Sequence, residues 1–146
     1  MPRILFVCTG NICRSPMAEA MARAELGDVI EFESAGIYGL EGSPASEHAV
    51  TATAEVGVDA GGHLARVLRP EIAEDCDRIY VMTHVHRNQI LSVAPHLAGR
   101  VQLLDPAGND IEDPYGRRLG VYRRARNHIA AAIEARLDEW RDLAGS

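Results

Sequence analysis

The sequence predicts an α/β fold, a three-layer α-β-α sandwich built on a four-stranded parallel sheet. Three observations predict it. Short apolar runs alternate with longer segments of helical composition. The first run, Ile4–Val7, is continuously apolar, as in a strand buried on both faces. Gly, Pro and Asp punctuate the junctions.

In chain order, strand Ile4–Val7 leads into a polar loop and a helix over Pro16–Leu26, rich in Ala, Met, Glu and Arg. Pro16 suits a first helical turn, where a missing N–H costs nothing. Val29–Ser34 reads as a second strand, ended by Ala35-Gly36. Ser43-Pro44 opens a helix to about Val56, with Gly57 as its stop. Asp59–Gly62 is a turn, and Arg69-Pro70 precedes a short helix over Glu71–Asp75. Arg78–Met82 is a third strand, followed by a polar opening, Thr83-His84, and a helix to about Val93. Val101–Leu104 is a fourth strand. Asp105–Gly120 carries three Gly, two Pro and four acids; a loop of that length suggests function. Val121–Leu143 is a long helix whose Ile129, Ile133, Leu137 and Trp140 mark one buried face. The alternation is that of a doubly wound, flavodoxin-like sheet, in which ligands bind beyond the carboxyl ends of the strands. The loops after strands one and four share that edge.

Bulk properties narrow the function. The chain has 146 residues, enough for one domain with a real core, and no repeat or linker divides residues 1–146. No apolar run matches a membrane span, and no basic stretch followed by a long apolar segment suggests a signal peptide. A net charge of −6 argues against a nucleic-acid partner. Three cysteines, an odd number, argue against a disulfide framework and for a reducing, cytoplasmic compartment.

The chemistry concentrates in Cys8-Thr9-Gly10-Asn11-Ile12-Cys13-Arg14-Ser15-Pro16. With 3 Cys and 15 Arg, a Cys-x5-Arg pair arises by chance with a probability of roughly 0.3, so spacing alone is weak. Context strengthens it: a strand before, a helix after, and Gly10 and Asn11 inside, both tolerant of left-handed backbone angles. Such a loop turns successive N–H groups inward as an anion nest, next to a helix N-terminus. The same surroundings favour a thiolate nucleophile. Arg14 can grip two phosphoryl oxygens, and Ser15 can donate to the sulfur. Cys8 and Cys13 find no second Cys or His pair at zinc-like spacing, so no metal is expected. His84 and His86, two apart at a helix start, diverge and read as solvated.

The nonapeptide and the Met-Ala-Glu-Ala that follows resemble the N-terminal signature of the low-molecular-weight protein tyrosine phosphatases. The resemblance extends to Ser34-Ala35-Gly36, His63-Leu64-Ala65-Arg66 and Glu112-Asp113-Pro114-Tyr115-Gly116, in order along almost the whole chain. It implies cofactor-free, metal-independent hydrolysis of phosphotyrosine on a protein substrate, through a phosphocysteine on Cys8. Arg14 and the loop from Thr9 to Cys13, with Ser15, hold the phosphoryl group, and Asp113 serves as general acid. Asn11, Ser34 and His63 brace the loop. Ile37, Tyr38 and Tyr115, with Thr9 and Ile12, are expected as pocket walls. A monomer acting on phosphorylated protein, with no nucleic-acid or membrane partner, is expected. Asp105-Pro106 resembles no family motif and reads as a turn.

Three other readings stand beside this one. A protein-arginine phosphatase of the same family is suggested by Met82-Thr83-His84, whereas Ile12, where that branch tends to carry Thr, favours a flat phenyl ring. A thiol-dependent arsenate reductase needs a relay of cysteines, and only Cys76 lies outside the loop. A non-catalytic phosphate-binding module would not need Cys8, Arg14 and Asp113 together. Cys13, close to Cys8 around the loop, is a candidate to shield it from over-oxidation through a reversible disulfide.

Overall fold

The computed structural model describes residues 1–146. Four strands, β1 (Arg3–Cys8), β2 (Glu31–Gly36), β3 (Arg78–Val81) and β4 (Val101–Leu103), form one parallel sheet in the order β2-β1-β3-β4. Five helices connect them: α1 (Arg14–Leu26), α2 (Glu47–Ala54), α3 (Pro70–Glu74), α4 (His84–Val93) and α5 (Leu119–Ala144). The chain moves outward one way from β1 to β2 and the other way from β3 to β4. The crevice of the doubly wound sheet therefore opens beyond the ends of β1 and β3.

Two cores sandwich the sheet. On one face Ile4, Phe6, Phe32 and Tyr80 meet Met17, Ile129, Ile133, Leu137 and Trp140 from α1 and α5. The Trp140 indole N–H donates to Tyr80 Oη at 2.9 Å, so the largest buried ring has its polar atom satisfied. Burial of each large apolar side chain here contributes about 1.5–3 kcal/mol. On the other face Leu5, Val7, Ile79 and Val81 pack against Ala73, Ile90 and Leu97. Two aromatics, Tyr38 and Tyr115, remain 68% and 63% exposed, so packing does not account for them.

Element boundaries differ from the sequence expectation in three informative places. α1 begins at Arg14 rather than Pro16, so the arginine that closes the loop is itself helical. β2 starts at Glu31, because the N–H groups of Val29 and Ile30 return to Leu26 O and wrap the end of α1. α2 starts at Glu47, not Ser43. Ala65 N–H binds Ser43 O and Gly42 N–H binds Ala65 O, holding this stretch outside the helix until Ser46 caps it. Asp59 makes its expected turn, accepting from Gly61 N–H, and Asp105 does the same with Ala107 N–H.

Candidate active site

β1 delivers Cys8 to the sheet edge and α1 takes up the chain at Arg14, leaving five residues to turn. Their direction is set from behind. The carbonyls of Cys8, Thr9 and Gly10 accept from the N–H groups of Ile37, Tyr38 and Leu40, extending the β1–β2 ladder past the strands. Ile12 O accepts from Ser46 N–H, and Asn11 O accepts from His63 Nε2 at 2.7 Å. With all five carbonyls held at the rear, the loop's N–H groups face the other way, and none from Thr9 to Cys13 donates within the protein. No side chain caps α1. Free N–H groups turned to one side at a helix N-terminus have the geometry of an anion nest.

Asn11 carries the turn, with φ of 59°, while Gly10 keeps ordinary angles. Of the two residues that tolerate left-handed angles, only Asn11 uses one. The Asn11 side chain holds the strained geometry. It donates to Ser15 Oγ at 2.8 Å and Ser34 Oγ at 2.9 Å, and accepts from Arg66 N–H at 2.9 Å. Ser34 in turn donates to Glu19 Oε1 at 2.9 Å. The carboxylate fixes the polarity of the chain. Ser34 gives its proton to Glu19, so it accepts from Asn11; Ser15 also accepts from Asn11, which leaves its own proton free to donate to a Cys8 thiolate, with Sγ 2.8 Å away.

The glycine that the loop does require lies on β2. A Cβ on Gly36 would stand 2.4 Å from Thr9 O and 2.8 Å from Asn11 N. No side chain fits where the loop crosses the strand end.

Arg14 is 3% exposed. Its Nη1 donates to Ile111 O at 2.9 Å. Its Nη2 lies 3.5 Å from Thr9 Oγ1 and 3.6 Å from Asp113 Oδ2. Its buried Nε has no partner in the protein. An orphaned guanidinium N–H beside a nest of free N–H groups is a donor set for an oxyanion.

The long loop after β4 brings Asp113 to this edge between two buried residues, Ile111 and Pro114. Ile111 is 0% exposed; its N–H donates to Met82 O, and its carbonyl receives Arg14. Asp110 accepts from the backbone and side chain of His84, which hold its carboxyl below the usual range. Glu112 pairs with Arg124 of α5. Asp113 itself is half exposed and accepts from Tyr115 N–H at 3.1 Å.

These elements enclose a cavity of about 240 Å³. Cys8, Thr9, Gly10, Ile12, Cys13, Arg14, Asp113, Tyr38 and Tyr115 line it, with Leu40, which sequence reasoning missed. Ser15, Asn11, Ser34 and His63 sit behind it. Ile37 does not line it. The side chain packs against the second core instead, because it follows Gly36 with the opposite orientation to Tyr38. Cys13 lines the cavity with its thiol 3.4 Å from Tyr122 Oη and 3.5 Å from Ser46 Oγ; burial pushes that thiol up. Cys76 is remote, and burial pushes its thiol to about 12. All three cysteines are free, and no group of His, Cys, Asp and Glu is arranged to hold a metal.

The two histidines of α4 part company. His84 is exposed, as expected, but His86 is 3% exposed, against the expectation that both are solvated. Residues two apart on a helix diverge, so when one faces water the other turns to the protein. Glu19 and Ile111 were also missed: in sequence one is a helical charge among several, the other an apolar residue in a polar loop.

Comparison with known proteins gives the same family throughout. The family model for low molecular weight phosphotyrosine protein phosphatase matches residues 3–142. A protein-arginine-phosphatase of Geobacillus stearothermophilus is 37% identical over 136 residues, covering 90% of this chain and 91% of that protein. The low molecular weight protein-tyrosine-phosphatase Etp of Escherichia coli K12 is 36% identical over 139 residues, covering 94% and 90%. Among solved structures, Vibrio vulnificus Wzb in complex with benzylphosphonate superposes with a TM-score of 0.91 at 30% identity, covering 94% of this chain and 98% of that one.

Proposed function

The chain belongs to the low molecular weight phosphotyrosine protein phosphatase family and is a hydrolase of that class; from that premise we propose that it removes phosphate from protein tyrosine through Cys8, Arg14 and Asp113. The Cys8 thiolate attacks phosphorus in line with the phenolic oxygen. The S–P bond forms as the P–O bond breaks, and Asp113, protonated, gives its proton to the leaving oxygen. The inward N–H groups, Arg14 Nε and Arg14 Nη2 hold the equatorial oxygens. Ser15 donates to the sulfur, steadying it as nucleophile and again as leaving group. Asp113, now a carboxylate, takes a proton from the water that attacks the phosphocysteine, releasing phosphate and restoring the thiolate.

The tyrosine reading rests on one observation: Ile12 forms the cavity wall together with Tyr38, Leu40 and Tyr115. Four apolar or aromatic walls suit a flat ring. Wzb, a family relative, is solved with benzylphosphonate, a ring-bearing phosphonate. A second reading, phosphoarginine, is supported by the relatives that act on arginine. Thr83, which resembles that branch, caps α4 and lines an adjoining pocket that shares Thr9, Arg14, Tyr38 and Asp113 with the cavity. Matched phosphotyrosine and phosphoarginine peptides decide between them. We expect kcat/KM to favour phosphotyrosine at least tenfold (about 1.4 kcal/mol); the reverse preference would sink the tyrosine reading and leave the chemistry intact.

Every group named comes from one chain, so the proposed chemistry needs no residue from a second subunit. Three free cysteines support a reducing, cytoplasmic setting. No helix is long and apolar enough to cross a membrane.

A further inference from the structure

The mechanism leaves unused a buried imidazole at the side of the loop. His86 Nε2 lies 2.9 Å from Thr9 Oγ1, and His86 Nδ1 lies 3.2 Å from Thr83 Oγ1. Thr9 Oγ1 is also the acceptor facing Arg14 Nη2 at 3.5 Å. A continuous run of polar contacts therefore joins the cap of α4 to the guanidinium. Thr9 is otherwise exposed, and its hydroxyl is free to rotate unless something holds it.

Resting on the reading that Arg14 and the Cys8 loop receive the phosphoryl group, we propose that His86 is a positioning residue that pins the Thr9 hydroxyl and, through it, the oxyanion-gripping face of Arg14. The ring is suited to this. Burial, and then the nearby Arg14 charge, hold it down to about 4, so at neutral pH it is uncharged, with one donor and one acceptor nitrogen. It adds no cation to repel Arg14. Thr9 Oγ1 offers two lone pairs and one proton. Arg14 takes one lone pair. If Nε2 carries the ring proton, it fills the second and leaves the Thr9 proton to face the phosphoryl group; if Nε2 is bare, Thr9 donates to it. In both tautomers the hydroxyl is held from two sides. An apolar residue at this position would pack as well but hold nothing.

The test is a double-mutant cycle read by binding of inorganic phosphate and by kcat/KM on an aryl phosphate. His86→Phe keeps the ring and removes both nitrogens; Thr9→Val removes the hydroxyl. Each is expected to weaken phosphate binding and lower kcat/KM by about tenfold, the scale of one hydrogen bond to a charged site. The double variant should lose no more than either single one. His86→Gln, whose amide reaches the place of Nε2, should recover most of the loss. His86→Asn keeps a polar contact to Thr83 but falls short of Thr9, and replaces His86→Phe in the cycle should the latter fail to fold. Phosphate affinity within twofold of wild type in a folded His86 variant lacking the Thr9 contact would overturn the proposal, as would single losses that multiply in the double. Turnover surviving in Cys8→Ser would instead overturn the nucleophile assignment, and the phosphate measurements would still judge His86.

Discussion

Two loops meet at the carboxyl edge of the sheet, and they are held in opposite ways. The loop from Cys8 to Arg14 buries Cys8, Asn11, Cys13 and Arg14, is tied back through its carbonyls, and is braced by Asn11, Ser34, Glu19, His63 and Arg66. The loop that carries Asp113 is mostly exposed and is anchored at only a few buried points, with Ile111 and Pro114 on either side of Asp113. The groups that receive charge need fixed geometry, because preorganised dipoles do not reorganise during reaction. A proton donor needs only reach and contact with water. The contrast predicts that rear-loop changes alter stability and activity together, whereas acid-loop changes alter activity alone.

The largest effect should come from Cys8→Ser. Turnover falls by at least about four orders of magnitude, while phosphate binding, measured calorimetrically, persists because the nest and Arg14 remain. Next is Asp113→Asn, with a loss on the order of 10²–10⁴-fold for poor leaving groups and far less for good ones, read from a series of aryl phosphates. Its unfolding free energy should stay within about 0.5 kcal/mol of wild type, as for exposed substitutions; a larger change would break the contrast from the acid side. Asn11→Ala should cost about 3 kcal/mol in denaturant unfolding, from a buried network left open and a strained φ left unsupported, and should also depress kcat/KM. Full stability with low activity would break the contrast from the rear.

The smallest effect concerns pH. His86 titrates at about 4 when folded, against an ordinary 6.5. Between those values the unfolded chain binds the extra proton and the folded one does not, so stability falls as pH falls through this window. Arg14 faces the ring from α1 and opposes its charge, while Asp110 and Asp113 face it from the acid loop and favour it. The contribution is at most about 3 kcal/mol. His86→Gln should flatten the fall between pH 6.5 and 4 in urea titrations; an unchanged slope would show that other groups carry it.

Much of this was legible in the sequence. Alternating apolar runs and helical segments marked the parallel sheet, and the order of elements placed the two loops on one edge. Cys8, Arg14 and Asp113 fall together for that reason. What sequence hid were residues whose contribution depends on a partner far along the chain. Glu19 matters because Ser34 meets it, Ile111 because Arg14 and Met82 meet it, and Gly36 because Thr9 passes over it. Local pattern carries no record of such meetings. His86 was misread for a different cause: the geometry of divergence was right, but it says that two side chains part, not which one faces inward.

Gly36 limits where this chemistry can be transplanted. The Cys8–Arg14 segment moved alone into another parallel sheet would meet a side chain on the adjacent strand about 2.4 Å from its own backbone, and would be pushed off its nest before any ligand arrived. The transferable unit is the pair, a nucleophile-bearing loop with a bare strand end beside it. A designer who copies the first without the second copies a sequence and not a receptor.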